Sequence, residues 1–489
     1  MLTNPVQPEA RGWLPAVGSF VMAVTALRLV ALSFNRTDLF VDESQYWLWG
    51  QNLDFGYYSK PPQIAWVIRA VTDLAGSDAP FWVRMPGAVL HGATALILAA
   101  LAARIHGARA AVWVGASYVT APFATVGSLL ISTDTIMAPA YVAALYGWFR
   151  LAETRAARFA LLAGGAAGLA FLAKYAALYF LLGAVLSALL VPAMRIGWRN
   201  ALLLTASFGA VILPNLFWNL SHDLTTVSHT MDNVGWLRSD SPLGGLNPAG
   251  LAEFFFSQFA VFGPVLFGAL LLGTLRAGRE ERQGVGRALI LFSLPVLLIV
   301  CTQALLSKAY ANWAVATYFA GTLIAVPYLL ARAPRLLPVS LILNGAMAVL
   351  LPLLTITAPM PARDGEPLLR RYLGRADLSR QIVEAAHANG AAAVYAQDRD
   401  ILADLFYTGA GSGLTFYAPK AEGRPHNYYE QMFALPAAPG QTLYLLTAAP
   451  VCDGEALAPV TSFDTAGGAY AGREISAYLL PEGCRIDRP

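Results

Sequence analysis

Charge is what this 489-residue chain has least of. Charged residues make up 13%, about half of the roughly 25% that soluble domains carry. Hydrophobic residues reach 57% and the mean hydropathy is +0.53. That scarcity excludes a disordered chain, a coiled coil and an ordinary cytosolic enzyme, and points to a protein with many membrane spans. A net charge of +3 is too small for the basic footprint of a nucleic-acid binder, so no nucleic-acid partner is expected. Lysine is scarcer still. Lys60, Lys174, Lys308 and Lys420 are the only four among the 33 basic residues, and the rest are arginine. Only three cysteines are present. No repeat of 20–50 residues, no P-loop and no nucleophile elbow occurs. Gly409-Ala410-Gly411-Ser412-Gly413 lacks the strand-to-helix context of a dinucleotide site.

What is abundant is long apolar runs. About 20 apolar residues cross roughly 30 Å of hydrocarbon. Such runs occur at 13–34, 86–105, 110–130, 135–151, 159–174, 176–194, 200–220, 251–275, 287–306, 312–331 and 336–357. All eleven are read as helices, because bare strands leave open edges in lipid and no strand-period alternation appears. Residues 1–12 carry one arginine and no cleavage site, so the first run is expected to be an anchor rather than a removed signal. The stretch 159–194 is long for one span and short for two. Arginine placement arbitrates. With two helices there, one side of the membrane collects Arg104, Arg109, Arg150, Arg155, Arg158, Arg195, Arg199, Arg276, Arg279, Arg282, Arg287, Arg332 and Arg335. The opposite side, after its first loop, holds only Lys174, Arg238 and Lys308 before residue 358. The arginine-rich side belongs in the cytoplasm. The N-terminus is then cytoplasmic and the C-terminal segment lies outside.

The predicted organisation is a helical transmembrane domain over 1–358 and a soluble outside domain over 359–489. The first outside loop, 35–85, is long and aromatic, and loop 221–250 is polar. Pro359, Pro361 and Pro367 mark the linker into the tail. The tail reads as a small α/β domain, with a helix near 376–389 and strands at 391–397, 414–418, 442–447 and 475–480. Cys452 and Cys484 both fall there, where oxidation is allowed, and a disulfide between them is expected. Cys301 lies within a span and reads as packing.

Polar residues within so apolar a chain stand out. Asp42 and Glu43 start an aromatic segment, Val41-Asp42-Glu43-Ser44-Gln45-Tyr46-Trp47-Leu48-Trp49. Asp42 three residues before Gln45 fits a capping box, and a capped carboxylate is also a fixed one, so capping and catalysis both stand. Tyr57-Tyr58-Ser59-Lys60-Pro61-Pro62 follows, its double proline stiffening the chain around Lys60; the plain alternative is a snorkelling lysine. Ser132-Thr133-Asp134 opens the fourth run, where Asp134 is either an N-cap or a site residue. Lys174-Tyr175 sits in a tight outside turn, where a cation between apolar segments is costly. Lys308 and Asn312 share another. His222, Asp223 and His229 lack metal-ligand spacing, and no cofactor is expected. Arg28 and Arg84 either face an anionic cavity or snorkel.

Carboxylates, lysines and aromatic segments thus gather on one membrane face. They suit a substrate with a long apolar tail and an anionic head. Sugar transfer from a polyprenyl phosphate fits this inventory. The leaving phosphate gains charge that lysines stabilise, and a carboxylate takes the proton of the attacking hydroxyl. The chain resembles the membrane glycosyltransferases of the dolichyl-phosphate-mannose protein mannosyltransferase type (the GT-C fold). Their bacterial branch includes the aminoarabinose and galacturonic acid transferases that modify lipid A and lipopolysaccharide core. The matching stretches are Asp42 to Trp49, Lys60-Pro61-Pro62 with Ala65-Trp66, Val83-Arg84-Met85-Pro86, Ser132 to Thr135, Gly168-Leu169 with Lys174-Tyr175, Trp218-Asn219 with His222-Asp223, and Ala311-Asn312-Trp313.

The resemblance implies an undecaprenyl-phosphate-linked donor, a lipid or cell-envelope glycan acceptor and inverting transfer at the periplasmic face of a bacterial inner membrane. It matches Asp42 to the family's catalytic aspartate, with Glu43 beside it. It matches Lys60 to the lysine of the family's Lys-Pro element, Lys174 to the phosphate-contacting lysine and Asp134 to an acidic residue at the start of the fourth helix; Lys60, Lys174 and Lys308 are expected to bind the donor phosphate. Tyr46, Tyr58, Asp134, Tyr175, His222 and Asn312 are expected to line the substrates. One departure is Ser59, where the aminoarabinose transferases carry a glutamate associated with a metal site. This speaks against both a metal and aminoarabinose here. Those enzymes also have more spans. A protein O-mannosyltransferase and a lipid-linked glycan flippase are the alternatives.

Overall fold

The computed structural model describes residues 12–233, 235, 246–280, 284–362, 365–452, 454–465, 467–481 and 484. The positions of Arg238 and Arg282, used above for orientation, lie outside these. The chain divides into two compact units. One comprises Met1–Ser33, Asp54–Val67 and Arg84–Pro352; the other comprises Phe34–Leu53, Ile68–Val83 and Leu353–Pro489. The first long loop is therefore shared between them.

The first unit is helical. In chain order the helices through its end are α1 (Trp13–Ser33), α2 (Val41–Gln51), α3 (Gln63–Ala75), α4 (Pro80–His106), α5 (Ala108–Thr120), α6 (Pro122–Leu129), α7 (Thr133–Thr154), α8 (Ala157–Ala173), α9 (Leu178–Leu190), α10 (Trp198–Ser221), α11 (Thr225–Asn233), α12 (Pro248–Phe262), α13 (Pro264–Glu280), α14 (Val285–Leu306), α15 (Ala316–Arg332) and α16 (Leu336–Ile356). Of these, α2 belongs to the second unit, and α3, α4 and α16 cross the division. Every apolar run read from the sequence is helical, and 159–194 is two helices. Among the described residues five helices, α1, α4, α10, α14 and α16, are individually long and apolar enough to cross a membrane, and two bent pairs raise that to seven. The other four expected spans, α7, α8, α9 and α15, are helices that are shorter or less apolar.

The spans expected at 110–130 and 251–275 are each a bent pair of helices. The first bends by 51° between α5 and α6, where Pro122 removes an amide donor and opens a new helix. The second bends by 111° between α12 and α13. There Gly263 has φ +95 and precedes Pro264; a Cβ would also meet Asn344 at 2.2 Å, so only glycine suits the corner.

Polarity in the first unit is inverted relative to a soluble bundle. On α10, Leu202, Leu213, Leu216, Phe217 and Leu220 are exposed while Asn215 and Asn219 are buried. Apolar faces turned outward and polar groups turned inward are what a lipid solvent selects. Small residues let helices close up. A Cβ at Gly164 of α8 would lie 2.1 Å from the Leu204 carbonyl of α10. Arg28 neither snorkels nor faces solvent: it is 1% exposed. Its guanidinium donates to the Val119 carbonyl at 2.5 Å, Thr125 Oγ1 at 2.8 Å and Ser128 Oγ at 3.1 Å. It thus takes up a carbonyl at the end of α5, where the helix break leaves acceptors without amide partners. Arg84 is likewise buried.

The second unit carries the mixed sheet. Its further elements are α17 (Arg375–Ala388), β1 (Ala393–Ala396), α18 (Arg399–Thr408), β2 (Thr415–Tyr417), α19 (Tyr428–Met432), β3 (Thr442–Leu446), β4 (Val451–Cys452), β5 (Glu455–Ala456), β6 (Thr461–Ser462) and β7 (Ser476–Leu479). The strand order is β2-β1-β3-β7-β6, with β4 and β5 paired separately. β1 runs parallel to both β2 and β3, and β7 is antiparallel to β3. The four strands and the helix read from the sequence are all present. α18, the crossover that makes β1 and β2 parallel, was not anticipated. The Cys452–Cys484 disulfide is formed. Segment 34–53 is tied into this unit by Arg36 N to the Thr355 carbonyl (3.0 Å), Asp38 N to the Tyr372 carbonyl (2.9 Å) and Arg375 N to Asp38 Oδ2 (2.8 Å). These bonds set where α2 begins.

Candidate active site

In the first unit the candidate residues gather where helices turn. α7 and α8 form a hairpin, so the start of α7 and the end of α8 meet. Asp134, in the first turn of α7, and Lys174, the cap residue ending α8, each carry the charge that their helix end favours. Lys174 Nζ donates to Asp134 Oδ1 at 2.7 Å and Oδ2 at 2.8 Å. Asn312 Nδ2 donates to Oδ2 at 3.0 Å. Both charged side chains are largely enclosed, 19% exposed for Lys174 and 13% for Asp134. The N-cap of α7 is Ser132, which accepts from Thr135 N. Asp134 is thus not the cap, and its carboxylate is committed to Lys174 and Asn312.

Next to Lys174, the Tyr175 hydroxyl donates to Asn215 Oδ1 at 3.2 Å and accepts from Asn219 Nδ2 at 3.1 Å. Asn215 Nδ2 continues to the Phe55 carbonyl at 2.6 Å, and Thr226 Oγ1 reaches the Tyr57 carbonyl at 2.6 Å. Segment 54–60 is thereby laid against α10 and α11. Gly56 is required there, since a Cβ would lie 2.3 Å from the Trp218 ring. Tyr58 is buried against the His229 ring, 5.0 Å between centroids. Lys60, half-buried, ends the segment. Asn215 was not singled out from sequence, and Asn219 only as part of the matching stretch Trp218-Asn219; two asparagines four residues apart in an apolar helix are the available signal, because they share one face.

His222 does not join this group. It stacks on Trp218, 4.1 Å between centroids, and its Nδ1 lies 2.8 Å from the Trp218 carbonyl at the end of α10. Lys308 is exposed in the turn after α14, its Nζ 5.9 Å from the Tyr310 ring centre. Among the described residues, no three His, Cys, Asp or Glu side chains are grouped to hold a metal ion.

In the second unit, α2 presents Asp42. The helix start is secured by Glu43, 2% exposed, whose Oε2 accepts from Phe40 N at 2.9 Å. The reciprocal bond of a capping box therefore lies two residues earlier than the Asp42–Gln45 spacing suggested, and Asp42 is left for another partner. That partner is Arg399, which sequence reasoning missed. Its Nη2 donates to Asp42 Oδ1 at 2.6 Å and to Gln45 Oε1 at 3.0 Å, and its Nε to Gln45 Oε1 at 3.2 Å. Burial opposes the charge of Arg399, but the Asp42 carboxylate outweighs it and raises the guanidinium above its ordinary value. Aromatic contacts brace the helix: Tyr46 on Trp49, Trp47 on Tyr407, and Trp49 on Tyr428. Tyr46 is buried in this packing.

The family model described as dolichyl-phosphate-mannose-protein mannosyltransferase matches residues 59–218. The chain is 43% identical over 466 residues to the lipid A galacturonosyltransferase RgtD of Rhizobium johnstonii, covering 95% of this chain and 98% of that protein. Its fold resembles ArnT from Cupriavidus metallidurans bound to undecaprenyl phosphate, with a TM-score of 0.67 at 14% identity over 95% of this chain and 98% of that one. The apo form of ArnT superposes with a TM-score of 0.62 at 13% identity, over 94% and 98%. The fold is therefore that of a helical multi-pass membrane protein with a small mixed sheet near its C-terminus.

Proposed function

The chain belongs to the dolichyl-phosphate-mannose-protein mannosyltransferase family of membrane glycosyltransferases, and from that premise we propose that it transfers a galacturonosyl unit from undecaprenyl phosphate to lipid A at the periplasmic face of a bacterial inner membrane. The observation that carries this reading is the 43% identity, end to end, with a lipid A galacturonosyltransferase. Ser59, in place of the glutamate of aminoarabinose transferases, agrees with a different sugar. The gathering of arginines in the loops of one side supports the orientation.

In the proposed reaction Asp42 is the general base. Its carboxylate takes the proton of the acceptor hydroxyl as that oxygen bonds to the sugar's anomeric carbon. The bond from that carbon to the phosphate oxygen breaks on the opposite face, and its electron pair leaves with undecaprenyl phosphate. The anomeric configuration inverts. Lys60, Lys174 and Lys308 hold the phosphate and stabilise the charge it gains, and stabilisation that grows in the transition state is what accelerates transfer. Phosphate leaves without a general acid. Asp134 and Asn312 orient Lys174, while Tyr58 and Tyr175 support the donor side.

Mass spectrometry of lipid A, core glycans and secreted proteins, from cells with and without this gene, tests the reading. Loss of a hexuronic acid from lipid A is expected, restored by the wild-type gene. Loss of a hexose from secreted proteins instead would make the chain a protein O-mannosyltransferase. Loss of the modification with the lipid-linked sugar trapped in the inner leaflet would make it a flippase.

A further inference from the structure

We propose that Arg399 is a positioning residue for the transfer, holding the Asp42 carboxylate by one oxygen so that the other is presented to the acceptor hydroxyl. The inference rests on the reading of Asp42 as general base. Three observations carry it. The first is a local conflict. Arg399 is the first residue of α18, directly after the N-cap Asp398, whose Oδ1 accepts from Asp400 N. Backbone amides and the helix dipole make that end positive, so a guanidinium there is unfavourable. Residues that break a local rule tend to be sustained by an interaction elsewhere, and here that interaction is Asp42.

The second observation is the geometry of the clamp. Asp42 and Gln45 are three residues apart on one face of α2. The planar guanidinium spans both: Nη2 is shared by Asp42 Oδ1 and Gln45 Oε1, and Nε returns to Gln45. Gln45 is 2% exposed and does not move freely. Among the described residues no donor reaches Asp42 Oδ2, and the Asp42 side chain is half exposed. One oxygen is therefore restrained and the other open, as a base that must meet a hydroxyl in one orientation requires.

The third is that the packing of α18 on α2 does not depend on Arg399. Trp47 meets Tyr407 edge-on at 5.0 Å. Asp78 Oδ1 accepts from Trp47 Nε1 at 2.8 Å, and the Asp78 carbonyl accepts from the Tyr407 hydroxyl at 2.6 Å. Truncating Arg399 leaves these contacts in place. The C-terminal part of the chain thereby acquires a role in the reaction.

The test uses the full-length protein in lipid nanodiscs with an undecaprenyl-phosphate sugar donor and lipid A. In Arg399→Ala, kcat is expected to fall about 10- to 100-fold, with the donor KM within about twofold. Millimolar guanidinium should restore part of that loss in Arg399→Ala and none in Arg399→Ala with Asp42→Asn. A wild-type kcat in Arg399→Ala, with Asp42→Asn inactive, overturns the positioning role and leaves the base assignment standing. A raised donor KM at unchanged kcat also overturns it, because it puts Arg399 on the donor. Full turnover by Asp42→Asn removes the base assignment and this inference with it. If Arg399→Ala does not fold, Arg399→Lys decides. That variant keeps the charge but loses the fork; a lowered kcat at constant KM supports the proposal and a wild-type kcat overturns it.

Discussion

Asp134 and Asp42 each stand in the first turn of a helix, and each faces a cation from a distant part of the chain, yet the two carboxylates differ in how they are used. Asp134 is enclosed, and both of its oxygens are engaged by Lys174 and Asn312. Asp42 is half exposed, and only one oxygen is engaged. A carboxylate with both oxygens bound to a lysine and an amide takes a proton from a substrate only by weakening its hold on that lysine. It can hold a lysine in one place. The difference separates a carboxylate that orients a cation from a carboxylate held by one, and it favours Asp42 over Asp134 as the base.

The largest test of that comparison is Asp42→Asn, which removes basicity and keeps shape. Transfer is expected to fall about 10²- to 10⁴-fold in a protein that still folds, read by a radiolabelled-sugar assay beside a melting curve. The same loss from Asp134→Asn, with Asp42→Asn active, would reverse the two roles.

A third carboxylate asks what pairing contributes. Asp404 on α18 is 2% exposed, and no described cation lies within ion-pair distance. Burial pushes its carboxyl up to about 6, against smaller opposing effects of the Thr408 and Ser379 hydroxyls. A carboxylate raised in the folded state binds its proton more tightly there than when unfolded. Stability is therefore gained as pH falls through about 6 and is lost above it. Asp404→Asn should stabilise the protein by about 2–3 kcal/mol at pH 7.5, and that gain should vanish near pH 4. Melting curves of the variant and the wild type across this range check it. A gain independent of pH would mean that the charge is not the cause.

Asp134→Asn comes next. It keeps the hydrogen bonds partly but removes the charge that holds Lys174. Donor affinity should weaken by about 1–2 kcal/mol, a five- to thirtyfold change, measured as the donor KM or by titration of undecaprenyl phosphate. Affinity tightened by the change would mean that Asp134 competes with phosphate for Lys174. The smallest effect is expected from Tyr175→Phe. Losing the hydroxyl between Asn215 and Asn219 should cost about 1 kcal/mol of stability and leave kcat within about twofold. A complete loss of transfer would place that hydroxyl on the substrate.

The two sites also differ in how legible they were in the sequence. Lys174 and Asp134 were visible because a charge in so apolar a setting is rare, and the α7–α8 hairpin follows from the run lengths on either side. Their direct pairing was not visible, since an N-cap role for Asp134 was equally consistent until Ser132 proved to occupy that position. Arg399 was hidden among the other arginines of the polar tail, and no local pattern marked α18 as a helix. Gly263-Pro264 was visible as residues, but a corner of 111° depends on what packs beside it.

By itself the sequence determined that this chain is a bundle of helices with a small α/β tail. Hydrocarbon leaves backbone groups no partner except one another, so long apolar runs must become helices, and alternating short strands in a polar tail must pair into a sheet. Only the tertiary structure decided which carboxylate meets which cation. Ion pairing needs contact within a few ångströms. Asp42 and Arg399, 357 residues apart, reach that distance only because Trp47, Asp78 and Tyr407 pack α18 onto α2.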